Sequence, residues 1–187
     1  MPSERIEIRP IRPEDREALA DGIRRMSPES RYRRFFSPTA GLTESQLTYL
    51  TEVDHHDHEA LVAVDPDTDR GIGVARFVRS RSDPELAEFA VAVADDWHRR
   101  GVGSALLHRL TERAREEGIR RFSGLILEEN RPMLELADEL GDVQVRDRAA
   151  GAVEIEVELP EEGIGSALRE TLRAAGRGLL RMRLPLR

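Results

Sequence analysis

"VADDWHRRGVGSALLHRL", residues 93–110, passes from the end of an apolar strand through a charged turn into an amphipathic helix. The first N–H groups of a helix have no partner inside it, and the macrodipole adds about half a positive charge there. Gly101 and Gly103 stand at that start, with Arg99 and Arg100 just before them. Glycine lets a ligand approach the main chain closely, and a planar guanidinium suits phosphate. The stretch therefore reads as a cradle for a phosphate-bearing ligand. A nucleotide P-loop does not fit, because it ends in Gly-Lys-Ser/Thr and the chain contains no lysine. A dinucleotide fingerprint fits poorly, since its third glycine would fall on Leu106 and the unit does not open the chain.

Outward from this stretch, apolar runs alternate with capped helical segments. "RIEIRPI" is a strand signal stopped by Pro10 and Pro13, and "EDREALADGIRRM" reads as a helix with Pro13 at its first turn. Ser27 is the expected N-cap of a second helix with Pro28 at its first position, and Thr43 with Gln46 three residues later fits a capping box. "EALVAVD" and "GIGVARFVRS" form a hairpin across "PDTDRG", and "ELAEFAVAVAD" is apolar enough to lie centrally. Leu106, Leu107, Leu110 and Ala114 share one face of the helix that follows, which Gly118 ends. "RRFSGLIL" is a strand and "NRPMLELADELG" a helix opened by Asn130, while "VQVRD" and "AVEIEVEL" close as a hairpin. Strand, helices, three strands, helix, strand, helix and two strands make an α/β fold with a mixed sheet.

The chain of 187 residues fits one domain, and a hydrophobic share of 39% with a mean hydropathy of −0.51 describes a globular protein. A net charge of −7 argues against general nucleic-acid binding. No cysteine is present, which removes disulfides, thiolate metal sites and thiol catalysis. No apolar run reaches the roughly 20 residues of a membrane span, and "MPSERIEIRP" lacks a signal-peptide core, so a cytoplasmic protein is expected. Residues 163–187 hold six arginines and one glutamate, a separate electrostatic region.

"HRRGVG", residues 98–103, resembles the Gln/Arg-x-x-Gly-x-Gly/Ala signature of the GNAT N-acetyltransferases, with His98 in place of the usual Gln or Arg. The order of elements is similar too, over roughly residues 5 to 158. "MSPESRYRRFFSP" together with "ARFVRSRSDPELAEFAVAVADDWHRRGVGSALL" looks like the catalytic domain of the bacterial protein lysine acetyltransferases, without the regulatory domain often fused to it. The resemblance implies a mostly antiparallel seven-stranded mixed sheet with flanking helices in an acetyltransferase domain over 5–159, followed by a basic amphipathic helical tail over 160–187. It implies acetyl-CoA as donor, without a metal, its pyrophosphate on the amides of Arg99, Arg100, Gly101, Val102, Gly103 and Ser104 and its pantetheine arm paired with Val91 and Val93. It also implies direct transfer to a protein lysine or small amine, with Glu88 as general base and Asn130 bonding the pantetheine arm.

These residues also carry independent readings. Amine acylation needs a base to free the lone pair, and strand alternation sets Glu88 on the face of Leu86, Ala90 and Ala92, an apolar setting expected to raise its pKa. Asn130 equally suits a plain N-cap. The tyrosine that many relatives carry seven residues further on is replaced by Ala137, which leaves solvent to protonate the thiolate. "DHHDH", residues 54–58, crowds three histidines too tightly for one tetrahedral set and is expected to be a solvated loop near the acceptor, from which a histidine can touch substrate. Tyr32, Phe35 and Phe36 are expected to pack on the core, with an acceptor wall as the alternative. In the tail, Ile164, Leu168, Leu172, Ala175, Leu179 and Met182 form a stripe suited to packing or to a homodimer, and Arg169, Arg173, Arg177 and Arg181 form another suited to a membrane surface or an acidic partner.

Overall fold

Residues 6–36, 41–68 and 70–160 are described by a computed structural model. The expected tail therefore lies outside the described residues from 161 onward. Seven strands, β1 (Glu7–Pro10), β2 (His58–Asp65), β3 (Arg70–Arg79), β4 (Leu86–Val93), β5 (Arg121–Leu127), β6 (Asp142–Ala149) and β7 (Ala152–Glu158), form one sheet in the order β1-β2-β3-β4-β5-β7-β6. All neighbours are antiparallel except β4 and β5. Five helices flank it: α1 (Arg16–Arg25), α2 (Pro28–Phe35), α3 (Glu44–Thr51), α4 (Val102–Glu116) and α5 (Arg131–Leu140).

Local chemistry sets the helix ends. A 3-10 turn over Pro13–Asp15 precedes α1, and its Asp15 accepts from Arg12 N at 2.7 Å. Ser27 Oγ accepts from Ser30 N at 3.1 Å, and Thr43 and Gln46 close the expected reciprocal box. The turn after α4 is left-handed at Gly118, with φ +78°.

Strand alternation divides the apolar side chains between two faces. Leu61, Ala63, Ala75, Phe77, Ala87 and Phe89 pack with Leu106, Leu107 and Leu110 of α4. Ala60, Val62 and Val64 form a second cluster with Ile11, against which Leu19 of α1 packs. With both faces covered, β2 is buried from Glu59 to Val64, which explains its unbroken apolar run. The expectation for α2 is corrected: none of its residues is buried, and Tyr32 and Phe36 are 44% and 39% exposed. Its eight residues include three arginines and Glu29, too polar a set for a core-facing stripe.

Candidate active site

The sheet opens between β4 and β5. These parallel strands pair only where Leu86, Ala87 and Glu88 meet Arg121, Phe122 and Ser123. Beyond that point β4 stays on β3 as far as the pair Gly73–Val93, whereas β5 stays on β7. Ala94 N donates to Ile72 O at 2.8 Å. In an antiparallel ladder successive residues face opposite sides, so the main-chain groups of Val91 and Val93 point away from β3 into the opening. Those of Val91 and the Val93 N–H are available to an extended ligand laid along the strand.

The β4–α4 turn ends this edge. Arg99 and Gly101 both take left-handed conformations, φ +60° and +77°, which turn successive N–H groups toward one side. Gly101 O accepts from Ala105 N at 3.0 Å, and the N–H groups of Val102, Gly103 and Ser104 occupy the first turn, where no intrahelical acceptor exists. The two glycines do different jobs. A Cβ on Gly101 would meet nothing within 4 Å, whereas on Gly103 it would lie 3.2 Å from Leu136 Cδ1 of α5. The space beside Gly103 is thus filled by Leu136, and a side chain there would have to displace α5. Ser104 Oγ donates to Glu139 at 2.5 Å, so this residue offers its amide to the cradle while its hydroxyl is engaged. Arg100 lies over the Trp97 ring at 5.1 Å, which holds its guanidinium beside the turn. His98 Nε2 donates to Val93 O at 2.9 Å, occupying an acceptor on the open edge and tying the turn to β4.

The sequence of elements, the splayed strands and the turn agree with the finding that the family described as "Acetyltransferase (GNAT) domain" matches residues 5–142. The chain belongs to the GNAT acetyltransferase family. It is 39% identical over 156 residues to acetyltransferase Pat of Mycolicibacterium smegmatis, which covers 82% of this chain and 45% of that protein. The chain thus spans less than half the length of that relative. The solved GNAT domain of the S. lividans PAT superposes with a TM-score of 0.75 at 32% identity, covering 82% of this chain and 90% of that one. At 19% identity and a TM-score of 0.66, covering 85% and 96%, an acetyltransferase from Salmonella typhimurium solved with acetyl-CoA shares the fold.

On the opposite side of β4 from α4, this GNAT sheet aligns His58, Val78, Glu88 and Ser123 in one row. Glu88 is exposed, which corrects the expected apolar setting. Its neighbours Ala87 and Phe89 are the buried residues, because they face α4. Two arginines missed in the sequence bear on this side, Arg76 in the neighbouring row of the sheet and Arg34 in α2, which feels the Glu88 charge. Arg76, 7% exposed, donates to Leu50 O at 3.2 Å and sits 3.0 Å from His58 Nε2. Burial and the charges of Arg34 lower its pKa to about 10, which leaves it cationic near neutrality. Burial and Arg76 push His58 down to about 4, so its neutral ring accepts from Arg76. Burial also lowers Arg34, against the opposing pull of Glu88. A lone arginine inside the apolar run "GVARFV" was the signal available for Arg76.

Asp95 fastens α2 to the segment that leads into the β4–α4 turn. Its carboxylate accepts from Ser27 N at 2.7 Å and from Ser30 Oγ at 2.5 Å, at the N-terminus of α2. Asn130 is the N-cap of α5, accepting from Met133 N at 3.4 Å, at the far end of the opening after β5. The "DHHDH" segment divides. Asp54 Oδ1 accepts from the N–H groups of His56, Asp57 and His58, and these bonds outweigh burial to hold its carboxyl below the usual range. His55 binds Glu59 at 2.7 Å and His56 binds Glu117, both toward the C-terminal end of α4, and His58 alone joins the Glu88 row. Of this segment, His58 thus shares the side that carries Glu88, while His55 and His56 bond to Glu59 and Glu117. Among the described residues no three such side chains converge as a metal site, and no helix is long and apolar enough to cross a membrane.

Proposed function

We propose that the protein is an acetyl-CoA-dependent N-acetyltransferase acting by direct transfer, with protein lysine side chains as acceptors. The open edge of β4 leading into the 99–104 turn is the observation that carries this reading. The pyrophosphate lies on the amides of Arg99 to Ser104 with Arg99 and Arg100 adding charge, and the pantetheine arm lies along Val91 and Val93, with Asn130 at the far wall. A β4 amide, at Val93 or its neighbour, donates to the thioester oxygen as charge develops on it. Glu88 removes a proton from the acceptor ammonium, directly or through one water. The freed nitrogen pair attacks the thioester carbon, the C–S bond breaks, and the thiolate is protonated from solvent. Ala137, fully buried where many relatives carry a tyrosine, provides no acid. The resemblance of residues 26–38 and 75–107 to the bacterial protein lysine acetyltransferases supports protein lysine over small amines.

The test is acetyl-CoA turnover against lysine peptides, folded proteins and small amines, with Glu88→Gln beside the parent. The variant is expected to keep acetyl-CoA affinity, lose about 10²–10⁴ in kcat at neutral pH and recover part of it at high pH, where the amine is already free. Full activity in the variant would move the base to Glu128, Glu129 or a histidine of the 55–58 segment. A parent that holds acetyl-CoA and acetylates nothing would instead be a sensor.

A further inference from the structure

Among the described residues an apolar cavity of about 60 Å³ lies between α1 and the sheet. Its floor crosses three strands, because Val62 of β2 pairs with Val74 of β3 and Val74 pairs with Ala92 of β4. At about 4.8 Å between strands, that row runs about 10 Å. Ile23 and Met26, both buried, close it from the α1 side. Gly22 lines it as well, and a Cβ there would have Arg25 NH2 as its nearest neighbour, at 3.9 Å. The one charged group in the wall, the Asp15 carboxylate, is engaged by Arg9 at 2.7 Å and by Arg12 N. A buried water needs roughly two to four polar partners, and an empty space forfeits contacts along its lining, so walls of this kind suit an apolar guest. The cavity reaches the donor strand. Ala92, Val93 and Ala94 line its end, and the side chains of β4 that share this face are alanine at positions 90 and 92.

We propose that this cavity is an acyl pocket, which takes the chain of a straight acyl-CoA thioester of about six carbons. In the reading above the thioester lies on a β4 amide at Val93 or its neighbour, and a chain on its carbonyl carbon passes over Ala90 and Ala92 into the cavity. Roughly 15 Å³ accommodates one water-sized group, so the space admits about four methylenes beyond acetyl. The transfer itself is unchanged. The amine nitrogen bonds to the thioester carbon, the C–S bond breaks, the acceptor's proton goes to Glu88 and the thiolate takes one from solvent. This inference rests on the acetyl-transfer reading above.

Calorimetry with acetyl-, butyryl-, hexanoyl- and octanoyl-CoA reads the pocket without chemistry. Full burial of one methylene strengthens binding about fourfold, so hexanoyl-CoA is expected to bind at least about tenfold tighter than acetyl-CoA, with no further gain at octanoyl. Gly22→Leu fills the space and raises helix propensity, so it should weaken hexanoyl-CoA about tenfold while acetyl-CoA affinity stays within about twofold and the melting temperature does not fall. Val74→Ala deepens the floor and should extend the gain to octanoyl-CoA. Equal affinity along the parent series, or a chain-length profile that neither variant changes, would overturn the proposal. Kinetics with lysine peptides then separate the pocket from the reaction. Hexanoyl transfer with kcat/KM above that for acetyl supports both, whereas the expected binding profile without turnover of any acceptor would sink the acetyl-transfer reading and leave the pocket standing. A rate that follows an apolar residue beside the target lysine, is insensitive to acyl length and falls in Gly22→Leu would give the cavity to the acceptor and overturn the proposal. Binding of no acyl-CoA would overturn both readings.

Discussion

Replacing Asp95 with alanine should loosen the acceptor side and spare the donor side. Its carboxylate holds Ser27 N at 2.7 Å and Ser30 Oγ at 2.5 Å, two bonds that fasten α2 to the turn. Hydrogen bonds to a charged group contribute about 1.5–3 kcal/mol each when buried. The side chain is 36% exposed, so screening reduces the pair to about 1–2 kcal/mol in total. That is roughly tenfold in the equilibrium between docked and undocked α2. Burial raises the Asp95 carboxyl, yet the bonds from Ser30 and Ser27 hold it below its ordinary value. A depressed acid stabilises above its unfolded pKa of about 3.9 and loses that contribution as pH falls through the folded value. The tether is therefore intact above about pH 5. In Asp95→Ala, hydrogen exchange of the α2 amides should accelerate about tenfold and the acceptor KM should rise, while acetyl-CoA affinity changes by less than about twofold because main-chain groups form the cradle. Ser30→Ala should give a smaller effect of the same kind and couple to Asp95→Ala in a double-mutant cycle. Additive effects, or an equal loss of acetyl-CoA affinity, would refute the reasoning.

Gly101→Val places a β-branched residue at φ +77° without a clash, costing about 1–2 kcal/mol in the turn, and calorimetry should show acetyl-CoA binding weakened by about 5–30-fold; Gly101→Asn should lose less. Glu59 is 1% exposed and bonded to His55 and Arg113, so Glu59→Gln should destabilise by about 3 kcal/mol and lower the melting temperature by about 6–12 °C while kcat is retained. His58 titrates near 4 when folded against about 6.5 unfolded, so the unfolded chain binds the extra proton between those values and stability rises with pH across that window. Urea unfolding at pH 5 and pH 7 should show this component vanish in His58→Gln.

Strands, helix starts and the glycine turn before α4 were legible because period-two alternation, Ser, Thr and Asn caps and glycine positions are local signals. What escaped was long-range. Asp95 meets Ser27 across 68 residues, and no periodicity announces such a bond. Glu88 was assigned to the correct strand face but to the wrong environment, since its exposure depends on how far the polar α2 covers β4. The aromatic cluster at Tyr32 to Phe36 misled because aromatics are usually buried, while the arginines among them kept this helix at the surface. The histidine segment is divided between two sheet faces by the start of β2, an outcome set by pairing with β3.

In the proposed reading one strand serves donor, acceptor and core because a β-strand separates its main-chain and side-chain directions. Along β4 the odd-numbered residues send Phe89 into the core and aim the main-chain groups of Val91 and Val93 at the opening, whereas the even-numbered side chains, Glu88 among them, face the acceptor side. A slip of one residue would exchange all of these assignments together, burying Glu88 and turning the free amides onto β3. Register is therefore a functional quantity here, and it is held where the donor turn begins. A Cβ on Gly73 would lie 3.0 Å from Ala92 O, 3.1 Å from Leu106 Cδ1 and 3.4 Å from Val93 Cγ2, and one on Gly103 would lie 3.8 Å from the same Val93 atom. Two glycines thus let β3, the end of β4 and the start of α4 close around Val93, which brings the cradle to the end of the free edge. Larger residues at position 73 would push α4 from the sheet and, in the proposed reading, separate the phosphate site from the amides that orient the thioester, at a distance from either.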